Sequence, residues 1–161
     1  MVSVQRESLK PHFWLMKSEP SCYSIDDLKR DKVGIWDDVR NYQARNYMRE
    51  MRKGDRVLFY HSSCDVIGIV GLAKVYKEAY PDPTQFDFAS YKYDAKSTKE
   101  KPRWDSVDLS FVKKFNEPLT LGELKLDPTF EGMLVTKRGM RLSVQPVSEK
   151  HAHHILKLRA K

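Results

Sequence analysis

At 161 residues the chain is long enough for one domain with a real core. Its 29 Lys and Arg against 22 Asp and Glu leave a formal charge of +7, which favours acidic partners such as nucleic acid; the basic residues are spread without a polybasic tail, so local patches matter more than a general field. Cys22 and Cys64 indicate free thiols in a reducing cytoplasm and no disulfide framework, the longest wholly apolar run, 66–73, is far short of a membrane span, and the N-terminus MVSVQRESLK has no apolar signal core.

Residues 1–11 read as a flexible lead-in ending at Pro11, with one domain over 12–161. The apolar run 13–16 predicts a strand that delivers Lys17, Ser18 and Glu19. It stops at Pro20, which cannot donate to a ladder and biases Glu19 towards an extended conformation. Ser24 with Asp27 has the pattern of a capping box and opens a short helix over 24–30.

The stretch 36–51, WDDVRNYQARNYMREM, crowds Arg40, Asn41, Tyr42, Gln43, Arg45, Asn46 and Arg49 into ten positions. These are side chains that stack on, or hydrogen-bond to, bases and phosphates. Its second half predicts a helix, because Ala44, Tyr47, Met48 and Met51 share one face at 3.6 spacing. Arg45, Arg49 and Arg52 fall about a quarter turn from that stripe, so an anchored helix would show a cationic edge. The blander reading is an amphipathic surface helix with solvated arginines.

Residues 53–55 form a turn into a strand over 56–61, whose side chains imply burial on both faces. A second long strand spans 66–76, and Gly68 and Gly71 within it suit a bent or bulged strand, as at the corner of a small barrel. Residues 80–104 lack periodicity but carry Phe86, Phe88, Tyr91, Tyr93 and Trp104 among basic residues. A connection of this length is usually functional or disordered, and the aromatics argue against disorder. A period-two strand follows over 104–115. Thr120 with Glu123 caps a short helix through Leu124. A helical turn over 128–133 precedes a strand in which Met140, Leu142 and Val144 alternate with Arg141, Ser143 and Gln145. Ser148 caps a last helix, with Ile155 and Leu158 on its buried side. This order suggests an α+β fold: a small, mostly antiparallel β-barrel with helices packed at its ends.

Six stretches, WLMKSEP (14–20), VRNYQARNYMR (39–49), KGDRVLFYHS (53–62), EAYPDPTQFD (78–87), PRW (102–104) and KRGMRLSVQPV (137–147), together resemble the EVE domain family of the PUA-like superfamily, in its compact bacterial form. Two positions depart from the family pattern: Asp38 stands where Gly is frequent, and Ala95 where Pro is frequent. The resemblance implies a PUA-like pseudo-barrel that reads nucleic acid by accepting one extruded, modified base. Modified cytosines in DNA lead, and RNA modifications follow.

Such a reader needs aromatic walls, polar groups on the base edge and cations for flanking phosphates. Flipping costs a few kcal/mol, and stacking on aromatics returns ~1–3 kcal/mol per base. The candidate walls are Trp36, Tyr60 and Trp104. The candidate edge contacts are Ser18, Asn41, His61, Ser143 and Gln145. Lys17, Arg40, Arg45, Arg103 and Arg138 are the candidate phosphate contacts. No cofactor and no metal is expected: His151, His153 and His154 cluster without a second ligand pair at zinc spacing. The main rival is a small hydrolase acting on a modified nucleotide, drawn from His61 beside Ser62 with Glu19 and Asp37. No GxSxG elbow or Walker loop supports it. A third reading is an adaptor that binds a partner through the aromatic loop. A reader would pass its target to a separate effector, which the sequence does not name.

Overall fold

The computed structural model describes residues 10–160; of the expected lead-in, residues 1–9 lie outside the described residues. Among the described residues the order is β1 (Phe13–Ser18), α1 (Ile25–Asp31), β2 (Val33–Trp36), α2 (Tyr42–Glu50), β3 (Arg56–His61), β4 (Gly68–Pro81), β5 (Asp105–Thr120), α3 (Leu121–Leu126), β6 (Val144–Val147) and α4 (Glu149–Arg159). Short 3₁₀ turns occupy Pro83–Phe86, Pro128–Phe130 and Leu134–Thr136.

Both expected capping boxes form: Ser24 exchanges bonds with Asp27 at α1, and Thr120 with Glu123 at α3. Ser148 caps α4 by accepting from the His151 N–H. On α4, Ile155 is fully buried, but Leu158 is 39% exposed and does not share the buried side expected of it.

The six strands form one mixed sheet in the order β2-β5-β4-β3-β1-β6. β1 and β3 run parallel; the other four pairings are antiparallel. The closed barrel expected from the sequence is not formed. β2 and β6 remain separate edges, and α2 packs against β4, β5 and β6 with Ala44 and Met48 fully buried. Pro146 is tolerated inside β6 because β6 is an edge strand.

Nor do the helices sit at the ends of a barrel; they cover the two faces of the sheet. Period two divides β1 and β3 between two apolar layers. Trp14, Met16, Val57 and Phe59 join Ile25 and Leu28 of α1 and Ala44 and Met48 of α2. Leu15, Leu58 and Tyr60 join Leu124 of α3 and Ile155 of α4. The burial expected on both faces of β3 therefore holds, and the reason is helices on either side.

Gly68 pairs with Thr120 where β4 and β5 approach closely; a Cβ on it would lie 2.3 Å from the Leu119 carbonyl oxygen. The register shifts between Ile69 and Gly71, which is the bulge the two glycines suggested, and Pro118 of β5 falls in the unpaired stretch opposite. Two strands differ from expectation. β2, with Gly34 and an exposed Val33 and Ile35, is too short and too irregular to show a period. Residues 137–143 turn instead of extending, with Gly139 at φ 74, so β6 begins only at Val144.

Candidate functional site

A cleft of about 530 Å³ opens where β1 and β2 end, within the range of small-ligand sites, roughly 300–1,000 Å³. Lys17, Ser18 and Glu19 contribute from the end of β1, and Cys22 and Tyr23 from the loop that follows. Ile35, Trp36, Asp37 and Asp38 contribute from β2 and its exit, and Tyr91 and Lys92 from the loop after β4. Trp36 is held by pairing with Val107 of β5 and by edge-to-face contact with Phe59 at 5.4 Å. Asp38 then takes φ 66, and its N–H donates to Asp82 Oδ2 at 2.9 Å, which turns the chain away from the strand. Asp tolerates this left-handed backbone better than most side chains, so the departure from the family's Gly is accommodated. Tyr23 reaches across Gly34 and donates to Asp31 Oδ2; a Cβ at 34 would fall 2.4 Å from its hydroxyl.

Ser18 Oγ donates to the Tyr23 carbonyl at 2.6 Å, and His61 Nε2 accepts from the Ile25 N–H at 3.1 Å. The two residues clamp the 19–25 loop from the adjacent ends of β1 and β3. Burial pushes the His61 ring below its ordinary value, which keeps it neutral and able to accept. Burial likewise lowers Lys17, whose Nζ donates to the Met140 carbonyl. Asp37 is raised to about 6, first by burial and then by the charges of Asp38 and Asp82.

Arg40 is the hub behind this cleft. Its Nη1 donates to Asp82 Oδ2 and the Val39 carbonyl, its Nη2 to Thr84 Oγ1 and the Lys92 carbonyl, and its Nε to the Lys92 carbonyl. Asp82 is fully buried. Burial raises its pKa, but bonds from Thr84, the Asp38 N–H and Arg40 outweigh that and hold it below the usual range. Gln85, also fully buried, donates to the carbonyls of Asp82 and Trp104 and accepts from Ser97 Oγ and the N–H groups of Arg103 and Trp104. These bonds fix the segment 82–104, which sequence periodicity could not place, and so bring Tyr91 and Lys92 to the cleft.

Of the thirteen candidate residues, the structure brings Lys17, Ser18 and Trp36 to the cleft. The others lie elsewhere. Tyr60 is 2% exposed in the opposite layer, with Leu15 and Leu58. Asn41 caps α2, accepting from the Ala44 N–H. His61 holds α1, which also engages the nitrogen that the hydrolase reading needs as a base. Gln145 is buried and donates to the Leu142 carbonyl, and Ser143 precedes β6, its carbonyl accepting from the Lys17 N–H.

Trp104 is 6% exposed, donates through Nε1 to Asp94 and stacks on Tyr42 at 4.7 Å. Arg45 lies 4.7 Å over the Tyr42 ring and donates to the Arg103 carbonyl; Arg103 pairs with Asp94. Arg138 is exposed on the 137–140 turn and has no ion pair among the described residues. Sequence reasoning missed Cys22, Tyr23, Ile35, Asp38, Tyr91 and Lys92 as cleft residues, and had Glu19 and Asp37 only in the hydrolase reading. Tyr91, in the aromatic loop, was the one with a signal. His154 pairs with Asp127, while His151 and His153 lie against Phe130 and Phe13; among the described residues no cluster suits a metal ion.

The fold and the cleft define a class: a small α+β domain with one helix-covered mixed sheet and a cleft at the strand ends that the largely buried Trp36, 9% exposed, borders. The EVE domain profile matches residues 12–158, and the chain belongs to that family. Thymocyte nuclear protein 1 of Mus musculus is 42% identical over 91% of this chain and 73% of its own length. A protein from Pseudomonas syringae is 49% identical and superposes with a TM-score of 0.88 over 91% of this chain and 98% of its own. The human THYN1 protein, solved in complex with 5-methylcytosine containing DNA, is 40% identical with a TM-score of 0.85, covering 91% and 96% of the two chains.

Proposed function

We propose that this protein is a nucleic-acid reader that takes one modified base, a modified cytosine in DNA first, out of its stack and lodges it against Trp36. The observation that carries this reading is a cleft roomy enough to admit a base and bordered by Trp36, in a family whose human member was solved with 5-methylcytosine containing DNA. Extrusion costs a few kcal/mol, less for a mispaired or modified base. One stacking wall returns ~1–3 kcal/mol, and Tyr23 and Tyr91 line the same space. Asp37, Asp38 and Glu19 make the cleft unwelcoming to a phosphate, so the backbone stays outside. There Arg45, Arg103 and Arg138 take the flanking phosphates, and Lys17 and Lys92 soften the field at the mouth. The reader is a single module from residue 12 onward, works in the cytoplasm with its two thiols free, carries out no chemistry, and hands its target to an effector.

Fluorescence anisotropy with strands holding one 5-methylcytosine, against the unmodified strand, in single-stranded, duplex and RNA forms, tests the reading. Wild type should prefer the modified strand, and Trp36→Ala should lose that preference about tenfold, ~1.4 kcal/mol. Unchanged binding by Trp36→Ala would remove the cleft from the account. RNA bound more tightly than DNA would reassign the substrate.

A further inference from the structure

We propose that Asp37 chooses the base: its carboxyl accepts a hydrogen bond from the exocyclic amino group of a cytosine-type base in the Trp36 cleft and repels the carbonyl that thymine carries at the same position. The inference rests on the reader function proposed above and adds the chemistry of selection to it.

The placement comes first. Asp37 follows the wall tryptophan directly and lines the same cleft. Three carboxyls crowd this corner, and two are engaged. Asp82 is held by Arg40, by Thr84 and by the Asp38 N–H. Asp38 accepts from the Tyr91 hydroxyl. The Asp37 carboxyl accepts from its own backbone N–H, and among the described residues no neighbouring side chain hydrogen-bonds it, so acceptor capacity remains for a ligand that enters.

The chemistry follows from the inventory of donors and acceptors. A carboxylate only accepts. The 4-position of cytosine presents an amino donor, whereas thymine presents an acceptor oxygen there. The charges of Asp38 and Asp82 deepen the preference for donors, because they strengthen the negative field at Asp37. Thymine and 5-methylcytosine carry the same 5-methyl group, so stacking and methyl contacts are nearly matched between them. What separates them is the edge that Asp37 would meet. Adenine-type bases share the amino donor and belong to the accepted chemical class; uracil joins thymine in the rejected one.

Protonation supplies an independent readout. The groups that face Asp37 are Asp38, Asp82 and Arg40 around it, Tyr80 of β4, and Lys17, Glu19, Tyr91 and Lys92 across the cleft. Asp37 is raised to about 6 among them, so it gains a proton in mildly acidic solution. A protonated carboxyl can donate to the thymine oxygen, and discrimination then weakens.

The experiment compares affinities for one single strand holding 5-methylcytosine or thymine at the same position, from pH 5 to pH 8, for wild type, Asp37→Asn and Trp36→Ala. Asparagine is isosteric and can turn its amide to meet either edge. Wild type should favour 5-methylcytosine by about tenfold above pH 7, ~1.4 kcal/mol, and the ratio should shrink below pH 6. Asp37→Asn should bind both strands with a small ratio that does not move with pH. If wild-type binding depends on Trp36 but the ratio is near one, or if Asp37→Asn keeps it, the selection role is wrong and the reader stands. If Trp36→Ala changes nothing on either strand, reader and selection fall together.

Discussion

Arg40 shows how residue type can be read correctly and its task misread. Its position in VRNYQAR suggested a phosphate contact, but its donors turn inward to Asp82, Thr84 and two backbone carbonyls. Removing the guanidinium would leave the fully buried Asp82 carboxylate uncompensated. Arg40→Met should therefore cost about 3–5 kcal/mol of stability in urea titrations, the usual range for breaking one side of a buried ion pair. Lysine should rescue little, because it lacks the planar fork. Asp37 carries the opposite sign. Its pKa rises from 3.8 unfolded to about 6 folded, so its stabilising contribution is complete below 3.8 and is lost as pH climbs through 6. Asp37→Asn should then raise Tm at pH 7.5 by the equivalent of about 1 kcal/mol, solvent screening reducing the effect of a partly buried group. At pH 3.5 the gain should vanish. Trp36 was legible as an aromatic that opens the 36–51 stretch of base- and phosphate-binding residue types, although the strand that carries it was not. Tyr60 was misplaced because a run of apolar residues in β3 does not say which layer holds a cavity.

Local signals were strongest at element ends. The capping boxes at Ser24 and Thr120, the glycine bulge in β4 and the helix over the second half of 36–51 all follow from interactions within a few residues. Asn41 lies at the boundary between local and distant roles. Its side chain accepts from the Ala44 N–H and starts α2, the helix that carries Arg45 and buries Met48. Asn41→Ala should lower stability by about 1 kcal/mol. Asn41→Asp, which keeps the cap, should stay near wild type in both stability and DNA binding. If Asp restores stability but not binding, Asn41 has a second role at the ligand. Gly68→Ala should be at least as damaging, about 1–3 kcal/mol by denaturant midpoint, because the obstacle is the Leu119 and Thr120 backbone and cannot rotate away. The elements the sequence lost were those without a period. β2 has four residues and a glycine, and the segment 137–143 alternates in composition while its backbone turns.

For the molecule as a whole, charge decides how the reader would approach its target. With a formal charge of +7, affinity should fall with salt. Arg138→Ala should reduce the slope of log affinity against log salt by about 1, the loss of one phosphate contact, and leave the preference for the modified base intact. A titration that is flat in salt would remove the phosphate contacts altogether. By itself, the sequence determined the family, the α+β class, most element positions and the helix caps at Ser24, Thr120 and Ser148. All of these depend on patterns that span a few residues or on motifs that keep their order. Only the tertiary structure decided that the sheet stays open, that helices cover both its faces, and that Asp37, Tyr23 and Tyr91 meet around Trp36. The reason is that polar side chains such as Arg40, Asp82 and Gln85 act across tens of residues. Whether such a group faces a ligand or satisfies a distant stretch of backbone depends on chain crossings that no local pattern records.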